Sequence, residues 1–131
     1  MRQQEEKIEK KIRIIVGNLK VEAELNESKT AQSIWEVLPI EAKANLWGEE
    51  IYFSIPVKGG LEKGAKEVVS AGDLGYWPTG HAFCIFFGPT PASRGDEIRA
   101  ASAVNGIGRI LSDPKVFRKA QDGERIILEK A

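Results

Sequence analysis

Apolar and polar residues alternate along much of this chain with a period of two. Ile12, Ile14 and Val16 alternate with Arg13 and Ile15, and Gly17-Asn18 then separates them from a run in which Val21, Ala23 and Leu25 share one face and Glu22 and Glu24 the other. A two-residue loop with glycine first predicts a type II′ hairpin, and the alternation predicts that its second strand is half exposed. One stretch changes to the helical period. Ala31, Ile34, Trp35 and Leu38 fall at i, i+3, i+4 and i+7, which predicts an amphipathic helix with Trp35 on its core side. Asn26 or Ser28 supplies the cap, and Pro39 ends the helix by driving its predecessor out of the α region. Residues 42–47 and 51–57 then read as a second hairpin around Gly48-Glu49-Glu50. Ile51, Phe53 and Ile55 form one face of it, Tyr52 and Ser54 the other. With Ala44 and Leu46 turned to the core, Asn45, Trp47 and Tyr52 project from the opposite side, and a cluster of rings there marks a binding surface.

The pattern is densest between Gly72 and Pro91. Leu74 to Trp77 and Ala82 to Phe87 read as strands joined by the turn Pro78-Thr79-Gly80. Phe83-Cys84-Ile85-Phe86-Phe87 is apolar on both alternating faces, so this strand is expected to be covered on both sides. Before it, residues 58–66 form a glycine-lysine surface loop. It contains no Gly-Lys pair followed by Ser or Thr, so it is not a phosphate loop. Val68-Val69 reads as a short strand. After the central hairpin come a proline-braced loop over residues 88–97 and a weakly patterned stretch from Ile98 to Gly106. Residues 106–111 read as a strand with a bulge or close backbone approach at a glycine. Their Gly-x-Gly lacks the third glycine and the βαβ context of a dinucleotide site. Asp113-Pro114 opens a short helix, and a closing strand runs from Arg125 to Leu128. The total is about eight strands, one main helix and one short helix. Strands at this spacing predict a sandwich or closed barrel.

Composition narrows the partners. A chain of 131 residues is one domain, with residues 1–11 a charged extension and residues 12–131 the folded unit. Nineteen basic residues balance nineteen acidic ones, so no global field draws in nucleic acid or an anionic membrane. No apolar run is long enough to span a bilayer, and no signal peptide is read at the N-terminus. Cys84 stands alone in an apolar setting and reads as a buried structural thiol, which suits the cytoplasm. One histidine and one cysteine do not build a zinc site, and neither a metal nor a cofactor is expected.

The candidate chemistry is a pocket. Tyr76, Trp77 and Phe86 either pack in the core or line a cleft together with Trp47 and Tyr52. His81, next to the turn, serves acid–base chemistry or hydrogen-bonds its loop. Arg94 clamps a carboxylate or joins Glu97 in a local ion pair. Taken together with Asn45, these residues predict a site for a small molecule or an extended, proline-containing peptide.

Four blocks carry a family resemblance: Glu24-Leu-Asn-Glu-Ser-Lys-Thr-Ala with Ile34-Trp35 and Leu38-Pro39; Trp47-Gly48 with Glu50-Ile51-Tyr52-Phe53; Gly72-Asp-Leu-Gly-Tyr-Trp-Pro78; and Phe83-Cys-Ile-Phe-Phe-Gly-Pro-Thr-Pro91. Over most of residues 12–131 the chain resembles a family of small, functionally uncharacterised prokaryotic proteins classed as cyclophilin-like. The resemblance implies an antiparallel eight-stranded β-barrel flanked by helices. True cyclophilins isomerise X-Pro bonds with an arginine beside a proline pocket, in an Arg-x-x-x-Gly-Phe-x-x-Gln-Gly-Gly-Asp-like stretch. This sequence has no such stretch, so no catalytic residue carries over. A peptidyl-prolyl isomerase using Arg94 or Arg109 is the second expectation, and a non-catalytic interaction module the third.

Overall fold

The computed structural model describes residues 10–131. Most of the predicted charged extension lies outside the described residues, but Lys10 and Lys11 open the first strand. Ten strands, all paired antiparallel, carry the fold: β1 (Lys10–Val16), β2 (Leu19–Leu25), β3 (Ile40–Lys43), β4 (Asn45–Leu46), β5 (Glu50–Ser54), β6 (Lys66–Val69), β7 (Asp73–Trp77), β8 (Ala82–Phe86), β9 (Ile98–Ile110) and β10 (Arg125–Lys130). One α-helix, α1 (Lys29–Val37), and two 3-10 segments, Pro78–Gly80 and Pro114–Lys119, complete it. The helix starts where Ser28 accepts from the Ala31 amide, and it stops as Leu38, ahead of Pro39, takes an extended conformation. Ala31 and Ile34 are buried, and Trp35 and Leu38 pack partly against the core. Among the described residues, no helix is long and apolar enough to cross a membrane.

The sheet runs in the order β3-β10-β1-β2-β9-β7-β8-β5-β4, with β6 on β9. It is mainly β and antiparallel, as the pattern predicts, but hydrogen bonds do not close it into the expected barrel. The two end strands, β3 and β4, are consecutive in sequence with only Ala44 between them. Residues 42–47, read as one strand, are therefore split between opposite ends of the ladder. Ala44 is fully buried at the crossing. Its amide donates to Glu124 O at 2.7 Å and its carbonyl accepts from the Gly123 amide at 2.8 Å. The turn ahead of β10 thus supplies the pairing that a closed ladder would have given.

β8 lies in the middle of this sheet and is buried at all five positions. Phe83 and Ile85 face the main core, with Ile12, Ile14, Phe53 and Leu128. Ala82, Cys84 and Phe86 face a second, smaller apolar cluster with Ile98, Ala100 and Val104. β9 creates this second layer. Its C-terminal end pairs with β2 and β7, and its N-terminal half pairs with β6 and covers the outer face of β8. The register slips by one residue where Leu74 meets Gly108 and Gly75 meets Gly106, leaving Ile107 as a bulge that is fully buried in the main core. A side chain on Gly108 would stand 2.1 Å from Glu24 O, so the close backbone approach expected there is real. The stretch from Ile98 to Gly106 is weakly patterned because its buried positions include Ala100 and the polar Asn105, while Ala101 is exposed.

Residues 55–65 have no regular structure but are tied down. The Tyr76 hydroxyl donates to Val57 O at 2.5 Å and accepts from the Gly59 amide at 3.2 Å. The Glu62 carboxylate accepts from the amide and hydroxyl of Thr30. Asn105, 1 % exposed, accepts from the Glu62 amide and donates to Gly60 O. Tyr76→Phe leaves a buried carbonyl and an amide unpaired. Its expected cost is about 1–3 kcal/mol in urea unfolding, and an unchanged midpoint would refute this tether.

Candidate functional site

Between the outer face of the sheet and the N-terminal half of β9 lies a cavity of about 200 Å³. Its walls are Trp47, Tyr52 and Trp77 on one side, and Ala100, Ala101 and Val104 on the other. Strand alternation places the rings. Tyr52 lies on the face of β5 opposite Ile51 and Phe53, and Trp77 on the face of β7 opposite Tyr76. Trp47 enters from the turn that joins β4 to β5, where its amide donates to Glu50 O at 2.9 Å and Gly48 adopts a φ of 63°. Tyr52 and Trp77 meet edge to face, with centroids 6.5 Å apart. The Trp77 indole donates to the Ser102 hydroxyl at 2.6 Å, which fixes its plane.

The remaining lining residue is Glu50. Two consecutive glutamates meet opposite fates here. Glu49 turns outward and receives the Arg118 guanidinium at 2.8 Å. Glu50 turns inward on the face of Tyr52, is 5 % exposed, and its Oε1 has no hydrogen-bond partner. Burial pushes its pKa up to about 7, against the opposing effect of the Cys84 thiol. The same crowding raises the Cys84 thiol well above the ordinary thiol range, by burial first and by Glu50 second. Among the described residues, no cationic side chain lines the cavity.

Of the residues singled out from sequence, Trp47, Tyr52 and Trp77 come together here. Phe86 lies in the adjoining small core, fully buried. Asn45 pairs with Tyr52 across the ladder and donates its side-chain amide to Tyr52 O at 3.1 Å, at the exposed surface. Tyr76 points into the main core, because neighbouring residues of a strand face opposite sides. His81 is exposed in the left-handed region, with φ 48°, and holds its turn through backbone bonds to Pro78 and Ile55. Arg94 is exposed, and its amide donates to the Glu97 carboxylate at 3.0 Å. The ion-pair partner of Glu97 is Arg99 at 2.8 Å, whose guanidinium holds that carboxyl below the usual range. Arg109 is exposed on β9, opposite Glu24 and Asp73.

Sequence reasoning passed over Glu50, placing it in the turn with Gly48 and Glu49. The signal was present, because extending the Tyr52–Ser54 alternation back by two puts Glu50 on the same face. Its burial was not legible, since the cover comes from β9, some fifty residues further along the chain.

An antiparallel sheet with one helix against it and a small lined cavity on its outer face define a β-rich fold with a candidate binding site. The chain belongs to the cyclophilin-like family, whose model matches residues 10–129. It is similar to the solution structure of the hypothetical protein AF2241 from Archaeoglobus fulgidus, with 41% identity, a TM-score of 0.81, and 98% of this chain and 100% of that one covered. No curated protein matches the chain.

Proposed function

We propose that this cyclophilin-like domain binds a small molecule in the cavity of Trp47, Glu50, Tyr52 and Trp77. The observation that carries the reading is the combination of three rings with one buried carboxyl whose Oε1 has no hydrogen-bond partner among the described residues. Binding sites are typically apolar clefts with a few placed polar groups, and strongly perturbed carboxyls gather at such sites. The space favours a small molecule over an extended peptide, since an apolar cavity of about 150 Å³ takes up benzene. A prolyl isomerase needs a guanidinium beside its apolar pocket, and neither Arg94 nor Arg109 lines this one.

The test is a thermal-shift screen of small metabolites against the wild-type protein and Ala101→Leu. Ala101 lines the cavity from an exposed position, so leucine fills the space with little effect on folding. A ligand at a hundred times its dissociation constant adds about 2.7 kcal/mol of stability. That gain is expected to vanish in Ala101→Leu. Ligands that stabilise both proteins equally, or a broad screen without a hit, would refute the proposal.

A further inference from the structure

We infer that the ligand of this cavity is a small protonated amine, whose N–H group docks on the free oxygen of Glu50 while the rings of Trp47, Tyr52 and Trp77 enclose its body. The inference rests on the reading of the cavity as a binding site and names the chemical class it selects.

Four observations converge on it. First, an ionised carboxylate is acceptor-only, and Glu50, which lines the cavity beside the Cys84 thiol, leaves its buried Oε1 without a hydrogen-bond partner among the described residues. The missing partner is a donor. Second, among the described residues the lining carries no counter-charge. The residues that line the cavity with Glu50 are Tyr52 on its own strand, Trp77 on β7, Trp47 in the preceding turn, and alanines and a valine on β9, and the group acting on its carboxyl is the Cys84 thiol on β8. Two guanidinium groups of the structure are already engaged, Arg118 by Glu49 and Arg99 by Glu97 and Glu67. A buried carboxylate without a counter-charge is unfavourable, and a cationic ligand turns that deficit into attraction. Third, one side of the cavity is aromatic, and ring faces attract ammonium groups, most strongly where water is excluded. An anion would meet both repulsions at once. Fourth, one carboxylate among rings and aliphatic groups cannot complete a metal's ligand set, so the complementary cation is organic. The unpaired oxygen also separates amines that carry N–H from quaternary ammonium ions, which cannot donate to it.

The proton affinity of Glu50 gives this inference a signature. With its pKa near 7, the carboxyl is mostly protonated at pH 6, and an incoming ammonium must displace that proton. Affinity for the amine is therefore expected to be about tenfold weaker at pH 6 than at pH 8. Binding at pH 6 releases close to one proton.

The experiment uses benzylammonium, with benzyl alcohol as its neutral counterpart and benzoate as its anionic one. Indole N–H resonances report the titration by NMR. Trp47 and Trp77 line the cavity, while Trp35, on α1, lies under the Lys130 ammonium and serves as the internal reference. At pH 8, benzylammonium is expected to move the Trp47 and Trp77 signals at least tenfold more tightly than benzyl alcohol, with benzoate without effect. Glu50→Gln is expected to remove that preference while its spectrum stays that of a folded protein. Benzyl alcohol binding as tightly as benzylammonium, or an amine affinity unmoved by Glu50→Gln or by pH, overturns the amine assignment and leaves the cavity as a binding site. No response of Trp47 and Trp77 to any of the three probes at millimolar concentration overturns both.

Discussion

Replacing Glu50 with glutamine is expected to stabilise the protein at pH 8 by about 3 kcal/mol and to change little at pH 4. The sign follows from proton linkage. Glu50 has its folded-state pKa raised to about 7 by burial, while the unfolded chain keeps the ordinary value of 4.5. Below the ordinary value both states hold the proton and the group is neutral in the balance. Between about pH 4.5 and 7 the unfolded state ionises first, so stability falls as pH rises. Above pH 7 both are ionised and the full penalty stands, at roughly 1.4 kcal/mol per tenfold change in proton affinity. Glutamine keeps the shape and has no proton to lose. Glu41 and Glu97, held low by Arg125 and Arg99, act in the opposite direction, and they cancel in the difference between variant and wild type. Urea unfolding of both proteins from pH 4 to 8 measures the effect. Parallel stability curves would show that the carboxyl is not desolvated. A saturating amine is expected to restore much of the wild-type loss at pH 8, which links this measurement to the binding site.

Phe83→Ala is expected to cost about 3–5 kcal/mol, the range for removing a fully buried ring. Phe83 is fully buried and stacks on Phe53 with centroids 5.4 Å apart and planes at 24°. It sits on β8, which pairs with β7 on one side and β5 on the other. The second face of the same strand is also covered, by β9. The backbone therefore has little freedom to collapse into the space left behind, which places the cost high in that range. Denaturant titration checks it, and a loss under about 1.5 kcal/mol would mean that the sheet relaxes around the gap.

Local pattern made the strands, the helix and its ends legible. Val21, Ala23 and Leu25 point inward and Glu22 outward, as their alternation requires. The run Phe83 to Phe87 announced a doubly covered strand, and it is one. The rings of Trp47, Tyr52 and Trp77 were drawn to the candidate site by the same alternation. Tyr76 was grouped with Trp77, although adjacent residues of a strand cannot line one pocket from the same side. The split at Ala44 was hidden because nothing in residues 42–47 interrupts the strand pattern, and the break is made by bonds to the turn at residues 122–124.

What the sequence determined by itself is the set of faces: which side chains of each strand lie together, where the helix begins and ends, and that β8 must be covered twice. Those properties follow from backbone periodicity and from proline and capping chemistry, which act within a few residues. Only the tertiary structure decided that β9 bends over the outer face of the sheet, that its alanines leave a cavity there, and that Glu50 is shut in beneath it. Desolvation depends on what covers a group, and the segment that covers Glu50 is far away in the chain.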